Sequence, residues 1–416
     1  MTITRRDLLR AAAGAAAGLA VPQAWADLIA GREGARRLPP GGRSSGGGPD
    51  VFDGRVLHEA RLTLDPAHWK ALRQNYQRND YYPADLSLDG YVVRKVGIRS
   101  RGDGSRNPTK PSLRVDVNRY VKGQDFHGLK SLVLKNLDDD SSCLRERLAF
   151  DVYEAMGVPT PRYAHTRVTV NGEYRGLYGL IEPIRKAFLR SRFGEARGNL
   201  FSFEYEKATD DLYDFSDRGE DPKAYIPSPF KPRTHRRSPD GAALVKLIRM
   251  LNHAPDATLA REISAYLDVD QFITYFAVEN ALADSDGFGS GTGRTNFSLY
   301  QPPGKGRFIF IPWDKDMTLQ RADWPLFQNA ERSVLTRRLL ADPAWRKTYE
   351  QKVSQTIDSF VNARWLLPRL EAAYGQIREA VHADTFKGRF NEEFELRVAG
   401  LRVIVERRRQ GILRTV

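Results

Sequence analysis

Up to about Ile181 the apolar residues alternate with polar ones or fall in short runs, while beyond Pro183 they recur every third and fourth residue. The first pattern predicts strands and hairpins, the second helices. Arg61-Leu62-Thr63-Leu64 reads as a strand, followed by a short helix around Trp69–Leu72. Leu86–Leu88 and Tyr91–Val93 flank Asp89-Gly90, a dipeptide suited to the positive φ of a two-residue hairpin turn. Val96 to Arg101 extends this sheet into the loop Gly102-Asp103-Gly104-Ser105. Leu113, Val115 and Val117 then alternate with Arg114 and Asp116, and Leu132-Val133-Leu134 reads as a buried strand. A helix from Ser141 stops at Gly157, with Pro159 beyond it. Asn171-Gly172 turns a further hairpin, Thr166–Val170 to Glu173–Ile181, which Pro183 ends just after Glu182.

In the second half, Leu244, Leu247, Ile248 and Leu251 share a helix face, and Phe272–Ala283 forms another apolar helix. The chain is helical again after Ser333 and ends in Arg407-Arg408-Arg409. The stretch from roughly Asp210 to Asp240, rich in charge and proline, reads as a mobile insertion, a lid or a substrate loop. The pattern predicts an α+β fold over 51–416 with one site between two lobes: an antiparallel-sheet N-lobe, about 51–182, and a mainly helical C-lobe, about 183–416. There is no internal repeat, and no apolar stretch long enough to span a bilayer.

The N-terminal residues belong to another class. Arg5-Arg6 precedes the mildly apolar Ala11–Val21, and Ala24-Trp25-Ala26 offers a small-x-small cleavage site, so residues 1–26 read as a twin-arginine-type signal peptide. Residues 27–50, with Pro39-Pro40-Gly41-Gly42 and Gly46-Gly47-Gly48-Pro49, have the composition of a flexible linker. The expected location is the periplasm or the cell exterior. Cys143 is the one cysteine, so no internal disulfide forms, and the scattered histidines argue against a zinc site. The formal charge of +13 favours anionic partners. Nucleic acid is not expected, because the basic residues lack interleaved exposed aromatics.

Candidate chemistry concentrates between Asp284 and Asp316. Asp284-Ser285-Asp286 ends an apolar helix, Asn296 opens the strand Phe297–Tyr300, and Arg307–Ile311 returns through a Pro/Gly turn to Asp314-Lys315-Asp316. Pairing of those strands as a hairpin brings Asn296 beside Asp314, with Asp286 on the loop before them. A carboxylate at Asp286 can accept a hydroxyl proton, and Asn296, Asp314 and Asp316 supply hard oxygen ligands for Mg²⁺ or Mn²⁺. The same acids also suit turns. Gly102, Gly104 and Ser105 form a loop whose backbone could approach phosphates, and Lys110 can reach back toward it. Glu146 shares a helix face with Phe150 and Tyr153 and needs a cation: Lys110, or its neighbours Arg145 and Arg147. Leu180 and Glu182 end a strand whose backbone could hydrogen-bond an adenine.

Taken in order, several stretches resemble the spore-coat CotH kinase family, a divergent branch of protein-kinase-like enzymes. They are Val96–Gly102, Lys110–Val115, Leu144–Ala149, Val170–Tyr178 with Glu182, Asp286-Gly287-Phe288, Asn296–Tyr300 and Ile311–Asp316, spanning about residues 51–330. The resemblance implies a two-lobed kinase-like fold that uses ATP with Mg²⁺ to phosphorylate Ser/Thr of an unidentified protein substrate. It implies Asp286 as the catalytic aspartate, Asn296 and Asp314 as metal ligands, Lys110 with Glu146 on the phosphates, and a hinge at Glu182. The chain departs from the family at Asp103-Gly104 and in the glycine-rich run Gly287, Gly289, Gly291, Gly293. Two alternatives stay open: an exported non-catalytic scaffold, since ATP is scarce outside the cytoplasm, and an AMP transferase using the same cleft.

Overall fold

The computed structural model describes residues 50–204, 213–291, 294–304 and 306–414. The signal-like segment 1–26 and the linker up to 49 lie outside the described residues.

The alternating first half forms seven strands: β1 (Leu57–Thr63), β2 (Tyr82–Leu88), β3 (Tyr91–Ser100), β4 (Leu113–Asp116), β5 (Ser131–Lys135), β6 (Tyr163–Val170) and β7 (Glu173–Ile181). They close into a barrel in the order β1-β2-β3-β4-β5-β7-β6. The closing pair, β1 with β6, is parallel and runs from Leu57↔His165 to Leu62↔Val170. This corrects the expected antiparallel-sheet lobe of a two-lobed layout: the fold is α+β, but its first sheet closes on a parallel pair into a barrel and has no edge in this half. Both hairpin turns are as the dipeptides require, with φ of 51° and 85° at Asp89-Gly90 and the same values at Asn171-Gly172.

Alternation divides the barrel wall. Leu113, Leu134 and Leu180 lie in register and point into the barrel core with Ile98, Val115 and Val168. The next row, Arg114, Val133 and Ile181, faces outward, as does Lys135, two residues beyond Val133 on the same strand. Helix α1 (Pro66–Gln74) follows β1, and α2 (Arg145–Ala155) lies between β5 and β6 and packs Phe150 on the outward row.

The second half carries α3 (Lys186–Phe193), β8 (Asn199–Phe203), β9 (Phe230–Pro232), α4 (Ala242–His253), α5 (Asp256–Ile263) and α6 (Val269–Ala281). It continues with β10 (Phe297–Gln301), β11 (Ile309–Pro312), α7 (Val334–Ala341), α8 (Pro343–Ser359), α9 (Leu366–His382) and α10 (Asn391–Leu413). Its four strands make a second sheet in the order β11-β10-β8-β9. The expected mobile insertion is corrected over 213–240: Tyr213, Phe215, Tyr225 and Phe230 are buried in the helical core, and β9 pairs with β8. Four buried aromatics outweigh the polar composition that suggested a lid; Asp210 to Leu212 lie outside the described residues. Among the described residues no helix is long and apolar enough to cross a membrane.

Candidate functional site

The site begins at the end of β5. Its side chains alternate, so with Leu132 and Leu134 inside the barrel, Lys135 leaves on the outer face toward α2. The helix starts where Asp140 accepts from the N–H groups of Ser142 (2.9 Å) and Arg145 (2.8 Å), placing Glu146 in the first turn. Lys135 Nζ then meets Glu146 Oε2 at 3.0 Å and Asp316 Oδ2 at 2.9 Å, and it also donates to Asp314 Oδ1. The other Glu146 oxygen accepts the Lys315 N–H at 3.2 Å.

Lys110 takes no part in this. Its ammonium bonds the Leu177 carbonyl (2.8 Å) and Asp384 (2.6 Å), so the expected Lys110–Glu146 pair is corrected to Lys135–Glu146. Three residues before β4 the chain runs beside β7, where the end of α9 delivers the buried carboxylate of Asp384. Arg145 and Arg147, the other candidates for Glu146, are engaged by Asp140 and Gln376.

The second wall is the β10–β11 hairpin. Phe297 pairs with Pro312 and the Trp313 N–H donates to the Asn296 carbonyl at 3.0 Å, so Asn296 and Asp314 leave the hairpin side by side, both with positive φ (58° and 54°). Asn296 Nδ2 donates to the Asp286 carbonyl (2.6 Å) and to Asp286 Oδ2 (2.9 Å). The structure therefore gathers Asp286, Asn296, Asp314 and Asp316 with Lys135 and Glu146.

Beneath them lies a fully buried lysine. Lys315 Nζ contacts Asp284 Oδ2 (2.9 Å) and Glu279 Oε2 (3.0 Å), while Asp284 Oδ1 accepts the Asp286 N–H (3.0 Å). A Cβ on Gly287 would collide with both of those carboxylates, so this loop needs its glycine. Sequence reasoning missed Lys135 and Lys315. Lys135 did leave a signal: a lysine closing an otherwise apolar strand, just before a helix that buries a glutamate.

Electrostatics separates the acids. Burial raises Asp286, with the charges of Asp284 and Asp314 adding to it, and its carboxyl stands at about 6. Burial also raises Glu146 and Asp316. Asp314 goes the other way: burial works to raise it, but Lys135, Arg101 and Lys315 prevail and hold it below the ordinary aspartate value. Three carboxylates thus share the Lys135 ammonium, and the surplus negative charge sits on Asp314, whose side chain is 39% exposed against 6% for Asp316.

That charge distribution bears on a divalent ion. Among the described residues no three His, Cys, Asp or Glu side chains form a metal cage. Mg²⁺ commonly takes one or two protein oxygens and completes its shell with phosphate and water. Asp314 fits that role with the Asn296 amide oxygen, which accepts only a long 3.5 Å bond from Thr295 Oγ1 while Nδ2 faces Asp286; Asp316 is turned onto Lys135.

The remaining expected residues surround this centre unevenly. Gly102 (φ 109°) accepts from Arg106 Nε at 2.9 Å, and the Ser105 carbonyl accepts from Asn136, the residue after Lys135, which sets the loop beside the site. Gly104 has open space around it. The Leu180 backbone and the Glu182 N–H, expected to be open to an adenine, are already paired. Leu180 is paired on both sides, to Leu134 and Ala164, and the Glu182 N–H donates to the Arg162 carbonyl. The Glu182 side chain is occupied by Arg162 and Arg192.

A barrel-and-helix α+β protein whose outer barrel face presents a lysine–glutamate pair to a carboxylate hairpin is the class that these features define. The profile of the family described as CotH kinase protein matches residues 98–412, and the chain belongs to the CotH family. It is 26% identical over 346 residues to Inner spore coat protein H of Bacillus subtilis, covering 80% of this chain and 91% of that one. Invasin CotH3 of Rhizopus delemar is 22% identical over 361 residues, 79% of this chain and 57% of that one. Spore coat protein homolog 1 of the same organism is 21% identical over 344 residues, covering 78% and 54%. The chain thus spans most of the Bacillus relative and a little over half of each Rhizopus one.

Proposed function

We propose that this protein is an ATP- and Mg²⁺-dependent protein kinase, with a kinase-like cleft between barrel and hairpin, that phosphorylates Ser/Thr hydroxyls of a protein substrate. The observation that carries this reading is the single ammonium of Lys135 joining Glu146 of the barrel side to Asp314 of the hairpin side, with Asp286 tied to Asn296 alongside. Membership of a family described as kinase supports it.

Each residue then has a chemical task. Lys135, oriented by Glu146, holds nucleotide phosphate oxygens. Asp314 and Asn296 would hold the metal, which supplies charge neutralisation on the phosphates. Asp286 accepts the proton of the attacking hydroxyl. The new bond joins the acceptor oxygen to the γ-phosphorus, the bond to the β-phosphate oxygen breaks, and ADP leaves. A base near 6 is ionised at neutral pH yet still basic enough to take that proton. Export through residues 1–26 belongs to the same proposal, and relatives named as an inner spore coat protein and an invasin support it.

Intact-mass analysis of the protein and a Ser/Thr-rich acceptor, incubated with ATP and Mg²⁺, tests this reading. A phosphate-sized gain that disappears in Asp286→Asn supports it. A gain the size of AMP would replace it with nucleotidyl transfer, and no gain on either protein would replace it with a binding scaffold.

A further inference from the structure

The cleft proposed above would have a second, oppositely charged end. Its barrel wall continues outward from Lys135 through the row Val133 and Arg114, and Arg114 is in register with Arg99 of β3. Its other wall is one face of the second sheet, where Ile311, Ser298, Ser202 and Lys231 lie in register across four strands. Trp313 joins the two walls, packing against the cluster that holds Val133 and Ile181 and against the one that holds Ile311. Arg233 lies two residues beyond Lys231 and donates to Ser202 Oγ at 2.6 Å. Arg185 stands at the start of α3, whose N-terminus has no side-chain cap.

Among the described residues these cations outnumber their acids. Glu204 is shared between Lys231 (2.7 Å) and Arg233. Among the described residues neither Arg114 nor Arg185 has an ion-pair partner, and the buried Arg114 Nε has no hydrogen-bond acceptor. The crowding is felt at Arg185: burial, then the charges of Arg114, Arg233 and Arg236, bring its guanidinium down to about 9. At the near end, burial lowers Arg101 while the charges of Asp314 and Glu146 work against it. Like charges left unpaired in a half-buried cleft oppose folding unless an anion joins them. Guanidinium forks match phosphate oxygens in number and geometry, and an uncapped helix N-terminus adds backbone donors.

We propose that the Arg114–Arg185–Arg233 end of the cleft is an anion subsite for a phosphate group, carried by the nucleotide or by an already phosphorylated residue of the acceptor. Its purpose rests on the kinase reading, whereas its binding is measurable without any transfer. In the second case the reaction's own product would bind beside the site and feed successive phosphorylation of clustered Ser/Thr residues.

The test uses the full chain, metal-free and at constant ionic strength, with inorganic pyrophosphate and a phosphoserine peptide as probes in thermal shift and titration. The wild type is expected to bind at least one probe. Arg185→Gln and Arg114→Gln should each weaken that binding about tenfold, the scale of one lost charge-assisted contact. Without anion both variants should melt at or above the wild-type temperature, because repulsion is relieved, and Arg185→Lys should retain part of the affinity. Pyrophosphate that displaces ADP assigns the subsite to the nucleotide; phosphopeptide that binds alongside ADP assigns it to the acceptor. Binding of neither probe, or equal binding by wild type and both glutamine variants, overturns the proposal. Anion binding that persists in a protein showing no transfer would leave the subsite standing and remove the kinase reading instead.

Discussion

Two lysines of this protein are buried to the same degree, with side chains 5% exposed, and differ in everything else. Lys110 meets one carboxylate, Asp384, and one carbonyl, and Asp384 in turn accepts the N–H groups of Leu177 (3.1 Å) and Phe386 (2.9 Å). Charge is balanced there and no part of the cluster faces solvent. Lys135 meets three carboxylates, one of them, Asp314, partly exposed to solvent. The lesson is one of charge accounting: a balanced, sealed pair holds elements together, whereas an over-compensated lysine beside an exposed acid has capacity left for a ligand. In this protein the first lysine fastens the end of α9 to the barrel, and the second organises the site.

Substitution should separate the two roles. The largest effect is expected from Lys135→Met and Asp286→Asn, each lowering phosphate incorporation by about 10³-fold or more, measured by intact mass against time. Asp286→Asn should still bind ADP with Mg²⁺, whereas Asp314→Ala should lose the metal-dependent part of that binding in a titration. Lys110→Met should act on stability instead. Leaving Asp384 buried without its cation costs about 3–5 kcal/mol, read as a shift of the denaturation midpoint, while the soluble folded fraction keeps transferring phosphate. Loss of transfer at full stability in Lys110→Met would break the comparison. Gly176→Ala is expected to act in the same direction as Lys110→Met, since φ is 109° there and a Cβ would meet the Asp384 carboxylate.

Why the sequence led to the wrong lysine is itself instructive. The strands and hairpins were legible because their signals are local: alternation at Leu113–Val117, and the turns at Asp89-Gly90 and Asn171-Gly172. The pairing of Asn296 with Asp314 was legible for the same reason, since one hairpin imposes it. Glu146 was correctly read as needing a cation, but its partner depends on which face of β5 points outward, and that follows from barrel closure through β1 and β6, over a hundred residues apart. Lys110 was plausible because its true partner, Asp384, lies 274 residues away. Lys315 was hidden by its neighbours, the two aspartates that drew the eye. The 213–240 stretch was misread because composition counts charges and overlooks four well-placed aromatics.

The smallest expected effect is on pH. The Asp286 carboxyl in the folded protein stands at about 6, against 3.8 for an ordinary aspartate, so the native state holds its proton more tightly than the unfolded chain does. Its contribution to stability is therefore fully present below pH 3.8 and is lost as pH rises toward 6. Asp286→Asn should remove that loss and, measured without metal, melt higher than the wild type above pH 6 while matching it more closely near pH 4. Turnover should move oppositely, rising as Asp286 ionises. A cation at Asp314 cancels one of the charges that raise Asp286, so the acid limb of kcat/KM should fall at or below pH 6. An acid limb well above pH 6 would mean that Asp286 is not the group accepting the proton. Equal melting of wild type and Asp286→Asn at every pH would mean that its burial carries no cost, and that Asn296 alone holds it in place.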